Sequence, residues 1–170
     1  MKQAVSASKR LIEKAGSAML IAVLAAAYFA FGKFSLLFLS ENSFETIGVF
    51  ASEGIALAFV LYYGPRVIAG IFLGQFALAL SNGLDIDASA VIGIVNSTEA
   101  YLGFVLLRYL GFDTHLRTFK DFALLVGVIV IVLQPFSGLI SNAYLVYDGT
   151  VGAEAYVASS VDWMIGNIMG

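Results

Sequence analysis

The chain reads as an all-α bundle of transmembrane helices, with a cytoplasmic N-terminus, five full spans and the start of a sixth. Three observations predict this. The composition, 60% hydrophobic against 12% charged with a mean hydropathy of +0.91, belongs to a chain whose main solvent is lipid. Its apolar stretches recur at span length, separated by short connections rich in turn residues. Its charges are sorted between those connections by sign, as the positive-inside rule requires.

Residues 1–14 form a short cytoplasmic segment carrying Lys2, Lys9, Arg10 and Lys14. The first apolar stretch, Ala15–Leu39, is too long for a signal-peptide core and leads into further spans, so it reads as a retained helix. The next spans are Ile47–Tyr63, Val67–Leu80, Ala88–Tyr109 and Phe119–Ala143. Gly64-Pro65, Ser81-Asn82-Gly83 and Gly111-Phe112-Asp113 supply the turns, and no soluble domain fits between them. A sixth span opens near Ala158, but 13 residues remain to Gly170, and a crossing takes about 20. Residues 15–170 are therefore expected to be a C-terminally truncated integral-membrane domain.

Eight of the nine basic residues fall on one side of this layout: the four at the N-terminus, Arg66, and Arg108, Arg117 and Lys120 around the fourth connection. The opposite connections carry Glu41, Glu45, Asp85, Asp87, Asp148 and Glu154 and no base. This bias places the N-terminus in the cytoplasm and makes the chain a multi-pass protein. Lys33 alone breaks the pattern. It can snorkel from the outer end of the first helix or pair with Glu53 at similar depth.

The polar residues inside the spans mark where function would lie. Asn96 and Glu99 sit three apart near the middle of the fourth span, on one helix face. A carboxyl near the bilayer centre costs at least about 2.5 to 3.5 kcal/mol on insertion scales, so it is retained for a partner, a cavity or a task. Glu53, about two turns below the outer end of the second span, Gln75 in the third and Gln134 in the fifth overlap it in depth. If these faces converge, Glu53, Gln75, Asn96, Glu99 and Gln134 line a polar pocket opening toward the acidic, outer side. The amides Gln75, Asn96 and Gln134 serve equally well as interhelical glue, at about 0.6 to 2 kcal/mol per bond. Glu99 fits that plainer role less well, since a carboxyl costs more to hide.

Glycines at 54, 70, 74, 93 and 103 provide small-residue surfaces. The GxxxG spacing of Gly70 and Gly74 more commonly reflects close packing than a dedicated dimer face, and it leaves a homodimer open. Pro135 and Gly138 are expected to kink the fifth helix. Trp163, with Phe44 and Phe50, reads as an interfacial anchor.

Several classes of function find no support. Without cysteine, thiolate chemistry and Cys-based metal sites are excluded, and a lone His115 in a loop does not make a metal centre. No motif indicates catalysis, a cofactor or nucleic-acid binding.

The run Phe50-Ala51-Ser52-Glu53-Gly54-Ile55-Ala56-Leu57-Ala58, then Gly70-Ile71-Phe72-Leu73-Gly74, then Asn96-Ser97-Thr98-Glu99-Ala100-Tyr101-Leu102-Gly103 ahead of Leu106-Leu107-Arg108, resembles the membrane-associated sensor domain, type one. Phe112-Asp113 and the segment from Trp163 to Gly170 are similar to its pattern too. The chain departs from it at Phe50-Ala51, where the family carries Trp-Pro, and at Asn167, where the family carries an acid. The resemblance implies an input domain of bacterial histidine kinases and diguanylate cyclases, resident in the inner membrane. It would bind a small-molecule or ion ligand and relay to a cytoplasmic signalling module that follows it. The alternative is a fragment of a small-solute or ion permease with Glu53 and Glu99 as coupling carboxylates.

Overall fold

A computed structural model describes the backbone of residues 2–41 and 50–170 and the side chains of residues 15–36 and 50–170. The described chain is all-helical, with no strand among these residues. Helix α1 spans Lys2–Glu41, so the segment expected to precede the membrane continues the same rod. Ile47, where the second span was expected to begin, lies outside the described residues, as do Phe44 and Glu45. The side chains of Lys2, Lys9, Arg10, Lys14 and Glu41 also lie outside them.

Helix α2 (Ala51–Tyr63) stops at Gly64, whose φ of +79° is open to glycine at little cost, and whose N–H closes onto the Val60 carbonyl at 2.9 Å. Pro65 cannot continue a helical ladder and instead opens a 3-10 turn, Pro65–Val67, that leads into α3 (Ile68–Ser81). Helix α4 (Ile86–Tyr109) is started by Asp85, whose carboxylate accepts the Ala88 N–H at 2.8 Å. Helix α5 (Phe119–Val128) begins with a reciprocal cap in which Thr118 and Asp121 satisfy each other's backbone N–H groups.

A π turn, Ile129–Leu133, joins α5 to α6 (Gln134–Tyr147), and the Gln134 N–H reaches back five residues to the Ile129 carbonyl. The cause is Pro135. It has no N–H for the carbonyl four residues earlier and its ring crowds that turn, so the ladder widens just before it. The expected kink thus takes the form of a wide turn within one continuous rod. A 3-10 turn, Ala153–Ala155, precedes α7 (Tyr156–Ile168).

Three stretches are long and apolar enough to cross a membrane: Ala15–Leu36, Ile86–Tyr109 and Phe119–Tyr147. The apolar stretches Ala51–Tyr63 and Pro65–Ser81 are shorter than the about 20 residues of a perpendicular crossing. Helix α4 is the centre of the bundle, with 56% of its most apolar stretch buried against 17% for α1 and 28% for the α5–α6 rod. It reaches all three apolar clusters, through Ala100 to α1, α2 and α3, through Leu107 to Leu57, Val128 and Leu133, and through Ala88 and Ile92 to Leu145.

Two expectations are corrected. Trp163 is no interfacial anchor: it packs against the Ala88, Ile92 and Leu145 cluster, and its indole Nε1 is buried without a hydrogen-bond partner. Gly138 lets α7 approach α6 closely, since a Cβ there would stand 2.9 Å from Met164 Cγ, and the Trp163 ring is partly buried on the same helix. Lys33 does not pair with Glu53. Its ammonium donates to Asn82 Oδ1 at 2.8 Å and to the Ser81 carbonyl at 3.1 Å, placing a cation at the negative C-terminal end of α3.

Candidate functional site

The site begins with two glycines. A Cβ on Gly70 would lie 2.7 Å from the Ile21 carbonyl oxygen, and one on Gly74 would lie 2.8 Å from that of Ala25 and 2.7 Å from Tyr28 Cβ. The GxxxG face is therefore spent inside the chain, on backbone contact between α1 and α3. That close approach inserts Tyr28 into the bundle, where it is fully buried.

The Tyr28 hydroxyl donates a short hydrogen bond to Glu53 Oε1. Asn96 Nδ2 donates to the same carboxylate oxygen at 3.0 Å and to the Tyr28 hydroxyl at 3.1 Å. Three helices, α1, α2 and α4, thus meet at one carboxyl. The described part of α2 begins at Ala51, so Glu53 lies in its first turn rather than two turns in. There the unpaired backbone N–H groups of the helix end favour a negative charge.

One turn along α4, Glu99 Oε1 accepts from Gln134 Nε2 at 2.8 Å. Ser137, one turn beyond Gln134 on α6, faces the same carboxyl. Neither the Ser137 hydroxyl nor Glu99 Oε2 has a hydrogen-bond partner, and Gln134 Oε1 is likewise buried and unmatched. Asn96 and Glu99 share the buried face of α4 as their spacing predicts, but they serve different neighbours.

A cavity of about 710 Å³ brings Glu53, Glu99 and Gln134 together. It runs along α2 past Leu57 and Tyr62 to Phe112, Thr114 and Leu116 in the connection before α5. Thr114, Leu116 and Tyr62 are exposed, so this end reaches the surface. This opening lies at the connection flanked by Arg108 and Arg117. At the other end the close of α7 meets the start of α2, with exposed Ile168, Met169 and Gly170 on the lining: the Phe50 N–H donates to the Gly166 carbonyl at 3.0 Å, and a Cβ on Gly54 would come 2.4 Å from the Gly170 oxygen. Asn167, whose Nδ2 is buried without an acceptor, lines the cavity there. Gln75 is buried on α3 but does not line it, and Asn96 reaches it only through Glu53.

At the surface end, Asp113 accepts from both the His115 backbone N–H and its ring, each at 3.0 Å, and meets Arg117 at 3.5 Å. The bonds from His115, with the nearby guanidinium, hold its carboxyl below the usual range. Among the described residues, no group of three or more His, Asp or Glu is placed to hold a metal ion.

Sequence reasoning missed Tyr28 and Ser137. Tyr28 carries the one phenol in the first apolar stretch, a signal that hydropathy alone passes over because the ring hides the hydroxyl's need for a partner. A family model, MASE1, matches residues 18–170 of the chain. No curated protein and no solved structure matches it.

Proposed function

This chain belongs to the MASE1 family of membrane-associated sensor domains, and from that premise we propose that it is the input module of a bacterial inner-membrane signalling protein. The cavity between Glu53 and Glu99 is its sensory site. A change there is relayed by helix displacement to a cytoplasmic output module, with the N-terminus of α1 and the Thr114 connection on the cytoplasmic side. The charge bias of the connections supports that orientation. On this reading the shorter helices α2 and α3 complete the crossing between α1 and α4, giving five spans with α7 as part of a sixth.

One observation carries the proposal. The two carboxyls on the cavity are held by different sets of helices, Glu53 by Tyr28 and Asn96 from α1 and α4, and Glu99 by Gln134 from α6. Any event that alters either carboxyl changes which helices are tied to α2 and α4. The same cavity is walled by Phe112, Thr114 and Leu116, so the rearrangement bears directly on the connection at its surface end. Catalysis is left to whatever module receives the signal.

The cysteine-free sequence makes the test clean. A single Thr114→Cys probe should label from the cytoplasmic face, and its labelling rate should change when Glu53→Gln or Glu99→Gln is added. Labelling from the outer face would overturn the orientation. A rate untouched by both substitutions would overturn the relay.

A further inference from the structure

Glu53 and Glu99 are 9% and 3% exposed, and neither has a counter-cation among the described residues. The nearby bases are engaged elsewhere: Lys33 with Asn82, Arg117 with Asp113, and Arg108 over the Phe104 ring at 5.3 Å. Among the described residues, the cavity's lining contains no Lys, Arg or His. Two carboxyls therefore face an apolar space with no positive charge to offset them, an arrangement that selects for a cation.

The unmatched atoms define what kind. Glu99 Oε2 and Gln134 Oε1 are buried acceptors with no closed hydrogen bond, although the Ser137 hydroxyl faces Glu99, and both residues are 3% exposed and line the cavity. Leaving such acceptors empty costs about 1 to 3 kcal/mol each in general, so a molecule bringing N–H or O–H groups gains by filling them. Asn167 Nδ2, a donor without an acceptor on the same lining, suits an oxygen on that molecule. The remaining wall is aliphatic and aromatic, with Leu57, Leu133, Phe59 and Phe112 among its members. A bare divalent ion takes about six or more oxygens, which two carboxyls and two amides do not readily supply. A volume of about 710 Å³ suits an organic molecule.

We propose that the cavity binds an amphipathic organic ammonium, its N–H groups donating to Glu99 Oε2 and Gln134 Oε1 and its apolar substituent lying along the Leu57, Phe59 and Phe112 wall. The aromatic faces add a cation–π attraction to the carboxylate pairing. Entry is from the exposed end at Thr114 and Leu116. The inference rests on the cavity being the sensory site and names the chemistry of its ligand.

The test uses the full chain in lipid nanodiscs, with thermal unfolding followed through its single tryptophan, Trp163. The probes are 2-phenylethylammonium, its neutral counterpart 2-phenylethanol, and sodium chloride at equal ionic strength. The ammonium should raise the unfolding midpoint saturably while the alcohol and the salt do not. Glu99→Gln should weaken its binding by about tenfold or more, as expected for loss of a charge-assisted hydrogen bond, and Glu154→Gln, at an exposed acid far along the chain, should leave it unchanged. Equal stabilisation by the alcohol would reveal a plain apolar slot and overturn the proposal, as would a response to sodium chloride alone or binding that survives Glu99→Gln. The Thr114→Cys labelling rate, read in the same samples, separates this inference from the sensory reading. If the Glu variants shift labelling but no ammonium binds, the ammonium falls and the sensor stands. If the ammonium binds and labelling does not move, the site stands and the relay falls.

Discussion

Glu53 and Glu99 are both carboxyls buried within the helix bundle, yet they are held very differently. Glu53 takes two donors, Tyr28 and Asn96, from two other helices, and sits where the start of α2 favours charge. Glu99 takes one, Gln134, and keeps an oxygen with no partner beside a serine hydroxyl with none. The first is built as a three-way fastening of α1, α2 and α4. The second retains unused hydrogen-bonding capacity in the wall of a cavity, which is what a responsive group needs and a fastening does not. Burial alone would have ranked them as equals.

The comparison breaks most severely at the backbone contact that places Tyr28. Gly74→Val puts a branched side chain where even a Cβ lies 2.7 Å from Tyr28 Cβ and 2.8 Å from the Ala25 carbonyl. It should destabilise the fold by about 1 to 3 kcal/mol, the usual cost of overpacking, and detach Tyr28 from Glu53. Thermal unfolding in detergent checks the first effect, and solvent protection of the Tyr28 hydroxyl checks the second.

A finer test sets the two acids against each other. Glu53→Leu removes two interhelical hydrogen bonds, from Tyr28 and from Asn96, and leaves only the bond between those two residues, whereas Glu99→Leu removes the single bond from Gln134 Nε2. At about 0.6 to 1.7 kcal/mol per interhelical hydrogen bond, the Glu53 variant should lose more stability, by about one such bond. The order of sensitivity in the labelling rate at position 114 should be the reverse. Equal losses of stability would dissolve the distinction between a fastening and a responsive group.

The smallest effect concerns the surface end of the cavity. Asp113 is held below the ordinary carboxylate range by the His115 backbone N–H and ring and by Arg117. A carboxyl lowered in the folded state contributes stability above its unfolded value and loses it as the pH falls through the lowered one. The connection should therefore loosen on acidification below the usual aspartate range, seen as faster amide exchange at His115, and Asp113→Asn should reduce that pH dependence to the part carried by Asp121, whose carboxyl accepts the Asp113 N–H and is also lowered. Both Asp113 and His115 are substantially exposed, so solvent screening keeps the effect modest.

Much of this site is legible in the residues themselves. A carboxyl in an apolar run is costly enough to announce itself, so Glu53, Glu99 and their amide neighbours Asn96 and Gln134 stand out before any fold is known. The pairing among them is not legible, because helical spacing shows that Asn96 and Glu99 share a face but not which helices that face meets. Tyr28 escapes notice because its phenol lies in an alanine-rich stretch and becomes polar in effect only once Gly74 brings it within reach of Glu53. Gln75 is misleading for the converse reason: its depth is right, but the face of α3 it occupies is not the one on the cavity. The opening at Thr114 and Leu116 was not legible because charge bias describes the connections between helices, and the end of α7 packed against Phe50 and Gly54 cannot be read from charge.

The wide turn at Ile129–Leu133 stores one residue of slack in an otherwise regular rod. An α-helix advances about 100° per residue, so taking up that slack requires α5 to turn by about 100° against α6 while Gln134 keeps its hold on Glu99. Leu125 and Ile129, which wall the cavity, would swing out of it, and Phe119 and Phe122, now outward, would come round toward neighbouring surfaces. The proline at position 135, which widens the turn, thus sets the cavity-facing side of α5 about 100° from where a regular helix would carry it relative to Gln134.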